Sequence, residues 1–170
     1  MFFGKKIATL LENADSSMAH IPQYSHPEYK LDVVIEGVPI LGYIDSFDPE
    51  KRKFLEYKTG RQPWDAVRVR KHKQLTLYSL CIEILHGSVH SECELIWLET
   101  EKVEKPTLGL IKHEDTHNIR LTGRVERFKR KIAKWERDRM RELIVQIATE
   151  ISEDYTAYKN RPKKGGLGLR

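Results

Sequence analysis

Residues 42–60 read GYIDSFDPEKRKFLEYKTG, and the reading of the whole chain turns on them. Two short segments of strand character, ILGYIDS at 40–46 and FLEYK at 54–58, flank a turn at Asp48-Pro49-Glu50-Lys51. Alternation through the second segment puts Phe54, Glu56 and Lys58 on one face and Leu55 and Tyr57 on the other. Asp45 stands near the end of the preceding strand, which brings it beside Glu56 across the pairing.

Upstream, KLDVVIE at 30–36 alternates Leu31, Val33 and Ile35 with Asp32 and Glu36, and Gly37-Val38-Pro39 turns the chain back. The three segments predict an antiparallel meander. Downstream, Thr59-Gly60 and Pro63 end the strand pattern, and residues 64–85 predict one helix with Leu77, Leu80, Cys81, Ile84 and Leu85 on its apolar face. His86-Gly87 ends that helix, and ELIWLET at 94–100 predicts a fourth strand, parallel to the third through the helical crossover. Residues 107–112 and 117–130 predict a hairpin around HEDTHN. Met140, Leu143, Ile144, Ile147, Ile151, Tyr155 and Tyr158 recur at spacings of three and four, which predicts a long closing helix with that seam in the core. A short apolar helix is expected at 3–12. The expected architecture is α/β, a mixed central sheet flanked by helices, with one domain at 1–160 and a flexible basic tail at 161–170.

Composition narrows the function. The chain has 170 residues, 39% hydrophobic and 32% charged, with two cysteines. That supports one domain with a real core. It offers no disulfide framework, and Cys81 and Cys93 cannot make a four-cysteine zinc or iron–sulfur site. No apolar run approaches a membrane span and the N-terminus has no signal-peptide core, so a cytoplasmic protein without membrane contact is expected. Net charge is only +5, but it is unevenly spread. Residues 120–141 hold ten Lys or Arg against three acids, and residues 61–73 hold five against Asp65 alone. Such runs are commonly solvated helix faces; two of them beside an acidic pair suit a polyanionic partner.

Asp45 and Glu56 are two carboxylates close enough to repel unless a cation or a shared proton lies between them. Hard oxygen ligands suit Mg²⁺ or Mn²⁺, and Lys58 on the same face can orient a water or hold a phosphate oxygen. An E-x-K triplet alone is also what an edge strand carries for solubility. The following helix adds Gln74 and Tyr78 at i and i+4.

The ordered set GYID, EYKTG and QLTLY resembles the PD-(D/E)XK nuclease superfamily, most closely the RecB-like branch of phage-type exonucleases and CRISPR-associated relatives. The resemblance is close over residues 26–85 and loose over the later strand and helix. It implies a restriction-endonuclease-like core and an Mg²⁺- or Mn²⁺-dependent DNA nuclease, working in the host cytoplasm if phage-encoded. It implies Asp45, Glu56 and the Tyr57 backbone carbonyl as metal ligands, Lys58 assisting the attacking water, and Gln74 and Tyr78 contacting substrate or ordering the site. Many relatives add an upstream residue; His20, His26 and Glu28 are available, with Glu28 preferred and His26 next. Their C-terminal cysteine cluster is missing, so no iron–sulfur cluster is implied. DNA contacts are expected from Arg61, Arg68, Arg70, Lys71 and Lys73, and from Trp64, which either stacks on a base or packs against the helix. The alternatives are a non-catalytic nucleic-acid-binding or assembly subunit, and a structural phage protein docking through the Met140–Tyr158 seam.

Two decoys are set aside. His113-Glu114-Asp115-Thr116-His117 matches H-E-x-x-H literally, but lies among turn residues with no helical stripe. His86 and His90 share the spacing across a helix end at Gly87.

Overall fold

The computed structural model describes residues 24–87, 92–104 and 117–159. The expected helix at 3–12, the tail at 161–170, His20, His90 and residues 107–112 and 113–116 lie outside them.

Five strands form one mixed sheet in chain order: β1 (His26–Ile35), β2 (Val38–Asp48), β3 (Lys53–Gly60), β4 (Glu92–Glu104) and β5 (His117–Lys131). β1, β2 and β3 pair antiparallel, β3 and β4 parallel, and β4 and β5 antiparallel. Between β1 and β2, Glu36 (φ 49°) and Gly37 (φ 81°) form a two-residue turn in which both residues are left-handed. Between β2 and β3, the Asp48 carboxylate accepts from the amides of Glu50 and Lys51, which closes that turn. The expected meander and the parallel step are both present. β5 lies along β4, while its expected hairpin partner, 107–112, is outside the described residues.

The crossover is two helices, α1 (Ala66–Lys71) and α2 (Lys73–His86), where one was expected. Asp65 caps α1 by accepting from the Arg68 amide at 2.7 Å. The chain then breaks at His72, whose ψ of 103° is extended. Arg130 of β5 stabilises the break: its guanidinium donates to the carbonyls of Val69 and His72, to Thr76 and to Glu136. The carbonyl end of α1 thus faces a cation whose side chain is largely buried.

The main core lies between the sheet and the helices, and includes Leu31, Val33, Ile44, Phe47, Phe54, Leu75, Leu80, Leu95 and Trp97. α2 is buried on most of its circumference over 75–76 and 78–82, because the sheet covers one side and α3 (Lys134–Lys159) another. Its last turn leaves Ile84 and Leu85 exposed, so the expected stripe is realised only at Leu77, Leu80 and Cys81. Leu55, Tyr57, Ile96 and Leu98 form a smaller cluster on the opposite sheet face, with Tyr24, Leu121 and Val125.

α3 docks through its first half. Arg137 is fully buried and donates to Glu83 at 2.7 Å and to the Ile132 carbonyl at 2.8 Å. Met140 and Ile144 are buried and Leu143 packs against them. Beyond that the seam departs from the core: Ile147, Ile151 and Tyr155 are exposed. The helix outruns the sheet and α2, so its later turns find nothing to bury against among the described residues. The Tyr158 side chain lies outside the described set.

Candidate active site

The site forms where β2 and β3 part. Their ladder consists of Asp48 with Lys53, Phe47 with Phe54, and Ser46 with Leu55, and it stops there. The next pair in that register would be Asp45 and Glu56. Instead of continuing the ladder, the Asp45 side chain accepts from the Tyr57 amide at 2.7 Å. The strands splay, and the two carboxyls are left side by side.

Side-chain alternation along β3 sends Phe54 into the main core and Leu55 and Tyr57 to the opposite face, which places Glu56 and Lys58 on the helix side. Glu56 is 3% exposed. Burial, and then the neighbouring Asp45 charge, push its carboxyl up from 4.5 to about 7 despite Lys58. Asp45 is raised too, chiefly by burial, with the Tyr57 amide and Lys58 acting the other way. The Lys58 ammonium donates to Glu56 Oε1 at 2.5 Å and to Gln74 Oε1 at 2.8 Å. Gln74 Nε2 in turn donates to the Tyr78 hydroxyl at 2.7 Å. The i, i+4 spacing on α2 makes this last link, and the Tyr78 ring lies against Gly42, where a Cβ would meet it at 3.5 Å. Burial holds the Tyr78 hydroxyl up at about 12, so it stays protonated.

The expected site residues are therefore brought together: Asp45, Glu56, Lys58, Gln74 and Tyr78 form one continuous chain of contacts. Tyr57 contributes its backbone at the site while its ring packs on the other face. Of the upstream candidates, Glu28 sits between Pro27 and Tyr29, whose β2 partners are Ser46 and Ile44, and its charge contributes to raising Asp45. Glu28 has a left-handed backbone (φ 49°). His26 is bonded to Ser25 at 2.9 Å and sits edge-on to Tyr29.

One oxygen of the site has no partner. Glu56 Oε2 is buried and accepts no hydrogen bond. With both carboxyls ionised the pair needs a cation beside it; otherwise it shares a proton, because the two side chains lie within hydrogen-bonding reach of each other. The donor set, hard carboxylate oxygens with a backbone peptide adjacent, fits Mg²⁺ or Mn²⁺ rather than a soft metal. Among the described residues, no group of three or more His, Cys, Asp and Glu side chains is disposed to hold a metal.

The two basic stretches have different fates. Of the ten cations at 120–141, Arg120, Arg124, Arg127, Arg130, Lys134, Arg137 and Arg141 are ion-paired. The β5 arginines meet Glu101, Glu99 and Glu94 of β4, which the linear sequence hid. Arg61, Arg68, Arg70, Lys71 and Lys73 form no ion pair with any described residue. The uncommitted charge lies on the stretch that follows β3. Trp64 is only 9% exposed, with the Arg68 guanidinium 4.0 Å above its ring and His72 edge-on at 4.9 Å. It packs, and Arg68 is what it presents outward.

No protein-family model matches this chain, and no curated protein matches it. Among the described residues, no helix is long and apolar enough to cross a membrane. Sequence reasoning missed Arg130 and His72 as residues that shape the site. His72 is visible only as a polar residue in a helical pattern, and Arg130 only as one of many cations.

Proposed function

We propose that the chain is an Mg²⁺- or Mn²⁺-dependent DNA nuclease with a restriction-endonuclease-like core, an exonuclease of the RecB-like type being the favoured form. The observation that carries this reading is the Lys58 ammonium held between Glu56 and Gln74, beside a carboxyl pair with a buried, unpartnered oxygen.

Each residue has a defined task under this reading. Asp45 and Glu56, with the Tyr57 carbonyl and Glu28 nearby, would hold the divalent ion. When bound, that ion would supply Lewis-acid stabilisation of the charge that builds on the phosphate oxygens. Lys58 orients the attacking water and offsets the negative charge of the pentacovalent transition state. Gln74 fixes the ammonium through its carbonyl oxygen, and Tyr78 fixes Gln74. Arg61, Arg68, Arg70, Lys71 and Lys73 would neutralise DNA phosphates near the centre.

The test is cleavage of labelled DNA with Mn²⁺. Asp45→Ala, Glu56→Ala and Lys58→Ala should each abolish it while the circular dichroism spectrum is kept. Equal cleavage by the triple variant would refute the assignment.

One observation favours the second reading, a non-catalytic nucleic-acid-binding or assembly subunit: the site offers two close carboxylates rather than three ligating side chains. That reading expects salt-sensitive DNA binding by the triple variant and no cleavage by the wild type with any divalent ion.

A further inference from the structure

Beside the candidate centre, the turn after β3 and the first turns of α1 border an open surface cavity of about 600 Å³, lined by Trp64, Asp65, Val67, Arg68, Lys71 and His72. Its walls are chemically divided. The Arg68 guanidinium lies 4.0 Å from the Trp64 ring centroid and donates to the Pro63 carbonyl at 3.3 Å, so it is held as a flat cation on an indole. One plane of that cation rests on the ring, and the Arg68 side chain is otherwise exposed. Val67, 59% exposed, is an uncovered apolar surface beside it. Lys71 stands one helical turn further on, three residues from Arg68 and four from Val67. The Asp65 carboxylate caps α1 and forms no ion pair with Arg68 or Lys71, and the two cations outnumber it in the lining.

The cavity adjoins the reacting groups. His72 forms one wall and directly precedes α2, where Gln74 accepts from Lys58. Lys58 is close enough to His72 to act electrostatically on its ring.

We propose that this cavity is the subsite for one unpaired nucleotide adjoining the scissile phosphodiester, with the base stacked on Arg68 and Val67 and a phosphate on Lys71; this rests on the nuclease reading. A flat guanidinium and an aliphatic surface recognise the π-face of a base without regard to its identity. A base inside a duplex has both faces covered by its neighbours, so a shelf of this kind accepts a base only when it has left the stack. The substrate class that follows is a single strand or a frayed end rather than an intact duplex interior.

The experiment uses the full chain in EDTA, where cleavage cannot interfere, and reads fluorescence anisotropy. The probes are a single-stranded oligonucleotide, the same strand with abasic sites, and a blunt duplex. Arg68→Lys keeps the charge and removes the plane. It should weaken single-strand binding by about fivefold or more, leave duplex binding within about twofold, and lose its effect on the abasic strand. Val67→Ser, which removes the aliphatic surface without adding charge, should act in the same direction. Equal losses on all three probes would mean a backbone contact, and would overturn the proposal. So would no loss on the single strand, or no single-strand binding by the wild type. Cleavage is measured separately with Mn²⁺. A wild type that cleaves nothing refutes the nuclease reading and leaves the binding comparison standing, so the two failures are distinguishable.

Discussion

Asp45 and Glu56 face each other one step beyond the last hydrogen-bonded pair of β2 and β3, Ser46 with Leu55. The ladder ends where two carboxyls would otherwise be forced into direct opposition. Both have raised affinities for protons, so the pair is electrostatically unfavourable when ionised. If the site is catalytic as proposed, it trades stability for chemistry.

That trade is measurable at Glu56. Glu56→Gln keeps an oxygen for Lys58 and removes the repulsion with Asp45. The variant should be inactive yet more stable than the wild type without metal, by about 1 kcal/mol or roughly 3 °C in Tm. A lower Tm would show that the ionised carboxylate is needed by the fold.

Cation binding should recover the same energy. At a hundredfold excess over Kd, Mn²⁺ should stabilise the wild type by about 2.7 kcal/mol, a rise of at least about 5 °C. Asp45→Asn should abolish the rise. Differential scanning fluorimetry with and without EDTA reads both.

Gln74 accepts from the Lys58 ammonium, and under the nuclease reading it acts through that contact. Gln74→Leu removes one of the two partners of Lys58 and leaves the buried Tyr78 hydroxyl without its donor. We expect kcat to fall by about a hundredfold with little change in KM, since the ammonium is displaced from the reacting atoms. Tyr78→Phe should have a smaller effect of the same kind.

His72 sets an acid limb on stability. Burial, then Lys58, Arg130 and Arg68, lower its ring from 6.5 to about 4. The unfolded chain binds the proton more readily between those values, so His72 contributes stability that is complete above about pH 6.5. It is lost as pH falls through 6.5 toward 4. In urea titrations across that range, His72→Asn should flatten the decline. An unchanged slope would place the acid sensitivity elsewhere.

Arg130 holds the α1–α2 break together and is 8% exposed in its side chain, against 17% for Glu136. Arg130→Met should cost about 3–5 kcal/mol by leaving the part-buried Glu136 carboxylate without its counter-charge and removing one donor each from the Val69 and His72 carbonyls. Adding Glu136→Leu should recover part of that loss, as chemical denaturation would report.

The parts of the site that were legible in the sequence are those with local periodicity. Asp45, Glu56 and Lys58 follow from strand alternation and one turn, and Gln74 and Tyr78 from the helical repeat. What was not legible depends on partners far along the chain. His72 breaks a helix because Arg130, 58 residues later, accepts the cost of its carbonyls. The β5 arginines looked like a second polyanion surface because Glu94, Glu99 and Glu101 are distant in sequence and adjacent only in the sheet. The Ile147–Tyr155 stripe reads as core by its period, yet periodicity records only that a face is apolar, not that anything covers it.

The matched charges of β5 have another consequence. Among the described residues β5 is a long outer strand, the geometry through which sheets recruit one another into aggregates. Arg120, Arg124, Arg127, Lys129 and Lys131 are exposed along it, and the β4–β5 register shifts between Leu98 and Thr100. A second chain aligning there would meet like charges on an irregular ladder. Lys129 and Lys131, exposed and in no ion pair among the described residues, hinder such pairing, and Lys129→Val with Lys131→Val should make the protein aggregate at concentrations where the parent stays dispersed.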